Sequence, residues 1–262
     1  DELQLLRYSR IQAKVGAALK VDAAACVALC EQWLVVGLAS GEVLVVDTHG
    51  LELARWRPHG RPVNSISVDT AGQYIATCSD DGNVSIRKAP ATTDTRDDTG
   101  GSPSNETLET ISYHQALNCI SLDPSYGTKR DKVFIAGGRA GQLVLNKKNW
   151  FGQKDEVLHE SEGAITAIAW LNSLVAWSND RGVKIMDTET LERITFVERP
   201  AGAQDAPGCR CQLFWETETS LLIGWAGVVQ LLEVCEVPRA GGGGGGGGSE
   251  GTRRCAQISH VW

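Results

Sequence analysis

Three features are missing from this sequence, and each absence excludes a class of protein. No apolar run approaches the roughly 20 residues that a membrane-spanning helix needs, so no such helix is predicted. Basic residues are not in excess: 25 Lys and Arg stand against 32 Asp and Glu, which argues against a broad nucleic-acid-binding surface. No glycine-rich phosphate loop follows a strand and opens a helix, so nucleotide binding has no support.

The eight cysteines also lack the pattern of a disulfide-rich or metal-binding domain. Most occupy apolar strands, as Cys26, Cys78 and Cys119 do, and there they behave as small buried hydrophobic residues. Cys209-Arg-Cys211 is the only close pair, and two ligands without a second pair nearby fall short of a structural zinc site. We therefore predict free thiols in a reducing cytosol, with no metal site and no cofactor.

What the sequence does contain is an internal repeat. The string Asn64–Asp69 (NSISVD) returns almost unchanged as Asn118–Asp123 (NCISLD). Looser copies of the surrounding unit each carry a turn glycine between two strands, at Gly41, Gly82, Gly141, Gly182 and Gly227. Successive glycines are 41, 59, 41 and 45 residues apart, and the long interval contains a low-complexity insert. A period near forty that is built only from strands is typical of a WD-repeat β-propeller.

We therefore predict an all-β chain, a WD-repeat-type β-propeller with about five visible blades that is incomplete at its C-terminal end. The partial propeller spans 1–238, with blades near 24–56, 63–112, 117–158, 165–197 and 210–235. We interpret 89–106 as a low-complexity loop insert, 239–252 as a glycine-rich linker and 253–262 as the start of a further strand. Leu3–Ile11 alternates enough to be the outer strand of a final blade. Because an open propeller leaves sheet faces unburied, we expect the chain to be unstable alone.

Two sets of polar residues match the spacing of the hydrogen-bonded network in WD repeats. They are His59, Ser79 and Asp81, and His159, Ser178 and Asp180. A Ser–His–Asp catalytic triad is the alternative. The set occurs in two separate units, which an enzyme rarely needs, so we favour a blade-stabilising network. No catalytic, cofactor-binding or metal-binding residue is predicted.

An aromatic segment in the third unit is the main candidate for an interaction site. Trp150-Phe151-Gly152 follows Lys147-Lys148 at the end of a predicted strand. Aromatic residues are enriched at the centres of protein interfaces, so this segment could bind a partner. We favour the other interpretation, in which the two aromatic side chains pack between adjacent blades.

Several longer strings resemble one family, the vacuolar protein sorting-associated protein 41 family. They are Ala116–Arg130, Phe134–Gly138, Trp150–Gly152, Val157–Gly163, Trp177–Ile185, Ile223–Trp225 and Asp22–Cys26. The similarity covers roughly residues 3–235, and the central strings are far more specific than a generic WD repeat. The insert and the glycine run depart from the family, but both fall between strands.

The resemblance implies a non-catalytic subunit of the homotypic fusion and vacuole protein sorting (HOPS) tethering complex. It implies a cytoplasmic protein, peripheral on late endosomes and vacuoles or lysosomes, that acts in vesicle-mediated transport before SNARE-driven fusion. The implied partners are other HOPS subunits and a late-endosomal Rab-type GTPase, with SNAREs and adaptor coats as further candidates. We find no helical apolar face for direct membrane contact and expect membrane association through these partners.

Two other functions are compatible with a propeller. The chain could be a scaffold or substrate receptor of a ubiquitin ligase, which would co-purify with ligase components. It could instead be an enzyme, but that requires polar or metal-binding groups converging on the central channel, and the sequence shows none. A protein-interaction platform is therefore our leading interpretation.

Overall fold

The chain is built from antiparallel sheets of four strands. The structure, a computed structural model, describes residues 11, 13–90, 109–201, 203, 210–238 and 252–262. Those residues contain one helix, α1 (Ala13–Val21), and twenty strands in five sheets. In each sheet the strands follow one another in chain order, and each pairs antiparallel with the next. A meander of four strands is the blade of a WD-type propeller, as the repeat predicts.

Residues 1–68 and 72–116 form one compact unit, which contains two sheets. The first sheet contains β1 (Ala24–Leu29), β2 (Trp33–Leu38), β3 (Val43–Asp47) and β4 (Glu52–Trp56). The second contains β5 (Val63–Val68), β6 (Tyr74–Ser79), β7 (Asn83–Lys88) and β8 (Glu109–Ser112). Between them lies an apolar layer in which Trp33 and Val45 pack with Val63 and Ile75. The strands are therefore held by burial of the faces that the two sheets share.

Residues 69–71 and 117–262 form the other compact unit, which contains three sheets. The third sheet contains β9 (Leu117–Leu122), β10 (Lys132–Gly138), β11 (Leu143–Asn149) and β12 (Gly152–His159). The fourth contains β13 (Ala167–Leu171), β14 (Leu174–Ser178), β15 (Gly182–Asp187) and β16 (Arg193–Glu198). The fifth contains β17 (Gln212–Trp215), β18 (Ser220–Trp225), β19 (Val228–Pro238) and β20 (Thr252–Val261). Ile135 and Trp177 share one apolar layer between the third and fourth sheets, and Ile185 and Leu221 share the next.

The close approach of neighbouring sheets requires glycine at one repeated position. A Cβ added to Gly37 would lie 2.8 Å from Cβ of Val63, the first residue of the second sheet. A Cβ added to Gly137 would lie 2.7 Å from Cβ of Ile165, just before the fourth sheet. Carbon atoms pack favourably only at about 3.5–4.0 Å, so both contacts exclude any side chain. The repeat thus extends to the packing between sheets.

The predicted C-terminal strand is present, and the structure shows where it belongs. The further strand expected at 253–262 is β20, which pairs along β19 as the fourth strand of the fifth sheet. The glycine run hides this relationship, because a hairpin is recognisable from sequence only when a short turn joins its strands. Residues 91–106 of the predicted insert and 239–251 of the predicted linker lie outside the described residues.

The N-terminal segment contains a helix that the sequence did not predict. Of the proposed strand Leu3–Ile11, only Ile11 lies among the described residues, and it belongs to no strand. Helix α1 follows and buries Val15 and Ala18 against Val36 and Leu44 of the first sheet. A helix of nine residues is too short to be stable by itself, so this packing stabilises it.

Candidate interaction surface

The first polar network joins a loop histidine to the β6–β7 turn. Nδ1 of His59 lies 3.2 Å from Oδ2 of Asp81, and Nε2 lies 2.8 Å from Oγ1 of Thr77. Asp81 also accepts hydrogen bonds from the amides of Gly60 and Asn83, at 3.0 and 2.9 Å. The histidine–aspartate contact is confirmed, and Oγ of Ser79 accepts a hydrogen bond from the amide of Asp81 at 3.4 Å. The hydroxyl group that contacts the imidazole, however, is that of Thr77. Alternate residues of a strand share a face, so Thr77 and Ser79 both fit the pattern that the sequence shows.

This arrangement stabilises the turn and leaves no room for a substrate. His59 is only 3% exposed, and both of its ring nitrogens have protein partners. Burial lowers the pKa of His59, although the carboxylate of Asp81 acts in the opposite direction. The geometry therefore supports the structural interpretation of the network over the triad.

The second network is built differently from its prediction. Nε2 of His159 lies 3.4 Å from the side-chain Nδ2 of Asn179 and 3.5 Å from Oε2 of Glu162, whereas Asp180 is exposed. Oδ1 of Asn179 accepts a hydrogen bond from the amide of Arg181 at 2.9 Å, just as Asp81 accepts one from the residue two positions on. Asn179 thus replaces Asp180 as the turn residue, because the β14–β15 turn places its capping side chain one position earlier.

A buried ion pair completes the second network. Lys184 is 2% exposed, and its Nζ contacts Oε2 of Glu162 and lies 5.5 Å from the ring centre of Phe196. The hydrogen bond from Lys184 lowers the pKa of Glu162. Burial, followed by the charge of Lys184, lowers the pKa of His159. The cluster holds a cation inside the fourth sheet, and a buried cation is tolerated only when it is paired. Lys184 could not be recognised from the sequence, because a single lysine in a strand usually faces solvent.

The aromatic segment lies at the tip of the β11–β12 hairpin. Trp150 is 85% exposed and Phe151 is 95% exposed, so the interpretation that they pack between blades is wrong. Oδ1 of Asn149 accepts a hydrogen bond from the amide of Phe151 at 2.9 Å, which gives the turn a defined shape. Two adjacent large aromatic side chains on a protruding turn are unusual on a free surface, and exposed apolar groups of this kind are typical of interaction sites.

The charge around this tip is positive. Lys132 lies opposite Lys148 on the neighbouring strand, and Lys147 lies opposite Lys154. Like charges placed directly across a sheet destabilise it, so an anionic partner would relieve the Lys147–Lys154 pair. Nζ of Lys132 already donates hydrogen bonds to the carbonyl oxygens of Tyr126 and Gly127. Nζ of Lys147 contacts the carboxylate of Asp131 at 2.8 Å, which neutralises part of this charge. We define the hairpin tip, residues 147–154, together with Lys132 as the aromatic hairpin surface.

Two other kinds of site are absent from the part of the chain that the structure describes. Within those residues, no group of three or more His, Cys, Asp or Glu side chains is placed to hold a metal ion. No helix there has the length and apolar character needed to cross a bilayer. The exposure of Trp150 and Phe151 makes the aromatic hairpin surface our candidate functional site.

Comparison with known proteins identifies the family. The model for the Vps41 propeller, described as "Vps42 beta-propeller", matches residues 6–242. The chain belongs to the Vps41 family. It is 40% identical over 234 residues to the vacuolar protein sorting-associated protein 41 homolog of Arabidopsis thaliana, covering 89% of this chain and 23% of that protein. The homologs of Danio rerio and Homo sapiens are 31% and 30% identical, over 90% and 88% of this chain and 26% and 25% of theirs.

These comparisons confirm the family that the sequence strings indicated. The chain spans about a quarter of the length of these Vps41 relatives. Among solved structures, the β-propeller domain of Myceliophteria thermophila Cps50 (Swd1) superposes with a TM-score of 0.61 and 16% identity, over 81% of this chain and 66% of that one. A chain of the mitotic checkpoint complex gives 0.58 and 16%, over 81% and 61%. At such identity the likeness shows the propeller fold alone, which is the predicted fold class.

Proposed function

We propose that this Vps41-family propeller is part of a non-catalytic subunit of the HOPS tethering complex, acting in vesicle-mediated protein transport. The observation that carries the proposal is the family match over residues 6–242. The protein works by binding, in the cytoplasm, and is held on late endosomes and vacuoles or lysosomes through its partners. Those partners are other HOPS subunits and a late-endosomal Rab-type GTPase, with SNAREs and adaptor coats as further candidates.

The aromatic hairpin surface is the place where such a partner would bind. Trp is among the residues most enriched at binding hot spots, where an aromatic side chain fills a pocket on the partner. Trp150 and Phe151 protrude from a hairpin, so the complementary surface is a concave apolar pocket. Lysines surround the tip on both faces of the sheet, which favours a pocket rimmed by carboxylates. We therefore expect a protein partner with an acidic, apolar-lined cleft.

The test is affinity purification of the full-length protein from its own cells, followed by mass spectrometry. Three forms are compared: wild type, the double variant Trp150→Ala/Phe151→Ala, and the control Leu51→Ala. Leu51 is 55% exposed and follows the turn between the third and fourth strands of the first sheet, the position that corresponds to the aromatic tip. The affinity of the double variant for one partner should fall roughly thirtyfold, because truncating a hot-spot residue costs about 2 kcal/mol or more of binding free energy.

The outcomes separate the function from the site. Tether subunits and a late-endosomal GTPase recovered with wild type and Leu51→Ala support the proposed function. Ubiquitin-ligase components recovered without tether subunits would overturn it and favour the scaffold alternative. If tether subunits are recovered equally with the double variant, the function stands and the aromatic hairpin surface is not the contact.

A further inference from the structure

Two cysteines face each other on the outer edge of the fifth sheet. Cys235 of β19 and Cys255 of β20 are direct partners in the antiparallel register, and their sulfur atoms are 3.2 Å apart. Residues directly opposite in an antiparallel pair have Cα atoms about 4.5 or 5.5 Å apart. Both values lie within the roughly 4.4–6.8 Å seen across disulfides. The backbone is thus already placed for a bond between these two thiols.

The pair also contains the one exposed cysteine among those that the structure describes. Cys235 is exposed and Cys255 is half-buried, as are Cys26 and Cys30 of the first sheet, whereas Cys78, Cys119 and Cys211 are buried. Burial raises the pKa of both Cys119 and Cys211 to about 12, which suppresses the reactive thiolate. The hydrogen bond with Cys255 raises the pKa of the Cys235 thiol as well, so the advantage of this pair is its access to solvent. A small oxidant reaches Cys235 and Cys255 and does not reach the buried thiols.

A disulfide between these cysteines would fix β20, the outer strand of the fifth sheet, to its neighbour β19. β20 is an outer strand, and the segment that joins it to β19 contains eight successive glycines. Next to Cys255, Arg254 donates hydrogen bonds to Oδ2 of Asp187 and Oγ of Ser173, at 2.6 and 2.7 Å. β20 therefore links the fifth sheet to the fourth. A covalent bond at Cys255 would hold this strand, and with it Arg254, in place.

We propose that Cys235 and Cys255 form a reversible cross-strand disulfide that clamps β20 onto the fifth sheet under oxidising conditions. With a peroxide as oxidant, the thiolate of one cysteine attacks a peroxide oxygen, the O–O bond breaks, and a sulfenic acid and one water form. The second thiol then displaces the sulfenic oxygen as a second water, and the S–S bond forms. In total, two thiols and one hydrogen peroxide give one disulfide and two waters. A dithiol reductant reverses the bond by exchange.

The bond needs little rearrangement. The sulfur atoms must move from 3.2 Å to a bonded distance of about 2.05 Å, which side-chain rotation can supply. Once formed, the bond closes a loop that includes the glycine run and restricts the open states of β20. This clamp does not depend on the proposed tethering role, because it concerns the edge of one sheet.

The test uses the full-length protein, first reduced and then treated with a small excess of hydrogen peroxide. After alkylation and digestion with trypsin, Cys235 and Cys255 fall in different peptides, because Arg239 and Arg254 are cleaved. Mass spectrometry should show these two peptides joined, with the loss of two hydrogens, and dithiothreitol should separate them. Hydrogen exchange of the β20 amides should slow by at least about tenfold in the oxidised form.

Two variants make the result specific. Cys235→Ser should abolish both the joined peptide and the slowing of exchange. Cys30→Ser, which changes a half-buried cysteine of the first sheet, should leave both effects intact. The proposal is overturned if Cys235 and Cys255 are oxidised separately to sulfinic acids or pair with other cysteines. It is equally overturned if the disulfide forms and the β20 amides exchange at their reduced rate.

Discussion

His59 and Asp81 are 22 residues apart in the chain, yet the imidazole Nδ1 lies 3.2 Å from a carboxylate oxygen of the aspartate. The same carboxylate accepts hydrogen bonds from the amides of Gly60 and Asn83. One side chain thus joins the loop before the second sheet to the hairpin inside it. Blade repeats carry few residues of this kind, and each satisfies several otherwise buried polar groups.

The Asp81→Ala variant should destabilise the second sheet. Three hydrogen bonds are lost and a buried imidazole keeps only Thr77 as a partner, so we expect a cost of about 2–3 kcal/mol. Hydrogen exchange of the full-length protein, followed on peptides from β6 and β7, should show faster exchange there and little change in the fourth sheet. Unchanged exchange would mean that the network contributes nothing to stability.

In the fourth sheet, the structure assigns the capping role in the turn to Asn179, whereas the sequence pattern selects Asp180. Two alanine variants test which assignment is correct. Asn179→Ala should behave like Asp81→Ala, because Asn179 holds the amides of Arg181 and Gly182 at 2.9 and 3.1 Å. Asp180→Ala, the position that the sequence pattern selects, should change stability by less than about 0.5 kcal/mol because the side chain is exposed. Exchange in β14 and β15 is the measurement, and the reverse order of effects would contradict our assignment.

Much of the fold could be predicted from the sequence because the residue patterns that define a blade lie close together in the chain. Alternating strands and a glycine turn lie within one repeat, and the blades predicted to begin near 24, 63 and 117 begin at Ala24, Val63 and Leu117 in the structure. β20 could not be placed, since its partner β19 lies beyond the glycine run. Pairing over such a distance depends on the packing of the complete sheet, which no local pattern encodes.

The candidate site was harder to predict, for a different physical reason. Residue type alone cannot show whether Trp150 and Phe151 are buried, since aromatic residues are common both in cores and at interfaces. Their exposure follows from the length of the β11–β12 hairpin, whose strands reach Asn149 and begin again at Gly152. We predicted burial between blades because most large aromatic residues are buried. The protruding hairpin exposes both side chains instead.

A close backbone contact makes Gly41 irreplaceable. Its φ is +90°, and an added Cβ would lie 2.2 Å from the carbonyl oxygen of His59. Gly41→Ala must therefore move backbone, and we expect a loss of about 2–4 kcal/mol. Gly227 has a similar φ of +84° with nothing within 4 Å, so Gly227→Ala should cost only about 1–2 kcal/mol. The difference in amide hydrogen exchange between the two turns measures the effect of the contact between Gly41 and the His59 carbonyl. Equal losses of stability in the two variants would show that this contact is unimportant.

The effects of substituting Lys184 and Glu162 on stability should depend strongly on each other, because the two side chains form an ion pair. Glu162→Gln leaves the charge of Lys184 in a buried site without its counter-ion. Because Glu162 is partly exposed, the cost should be about 3 kcal/mol, at the low end of the usual range. Lys184→Met removes the charge and keeps the packing on Phe196, so its cost should stay within about 1 kcal/mol. The double variant should resemble Lys184→Met in hydrogen exchange of β15. Strictly additive losses would contradict the coupling.

The stability of the second sheet should depend on pH through His59. Burial lowers the pKa of His59, so near and just below its unfolded value of about 6.5 the unfolded state binds more protons than the folded one. The stabilisation is therefore complete above that value and is lost as the pH falls through it toward the lower folded pKa. Exchange of β6 and β7, corrected for the intrinsic effect of pH, should accelerate on acidification. His59→Gln should flatten this response, while His49→Gln, whose side chain is 85% exposed on another sheet, should preserve it. A steep response that survives in His59→Gln would assign the proton uptake to a different group.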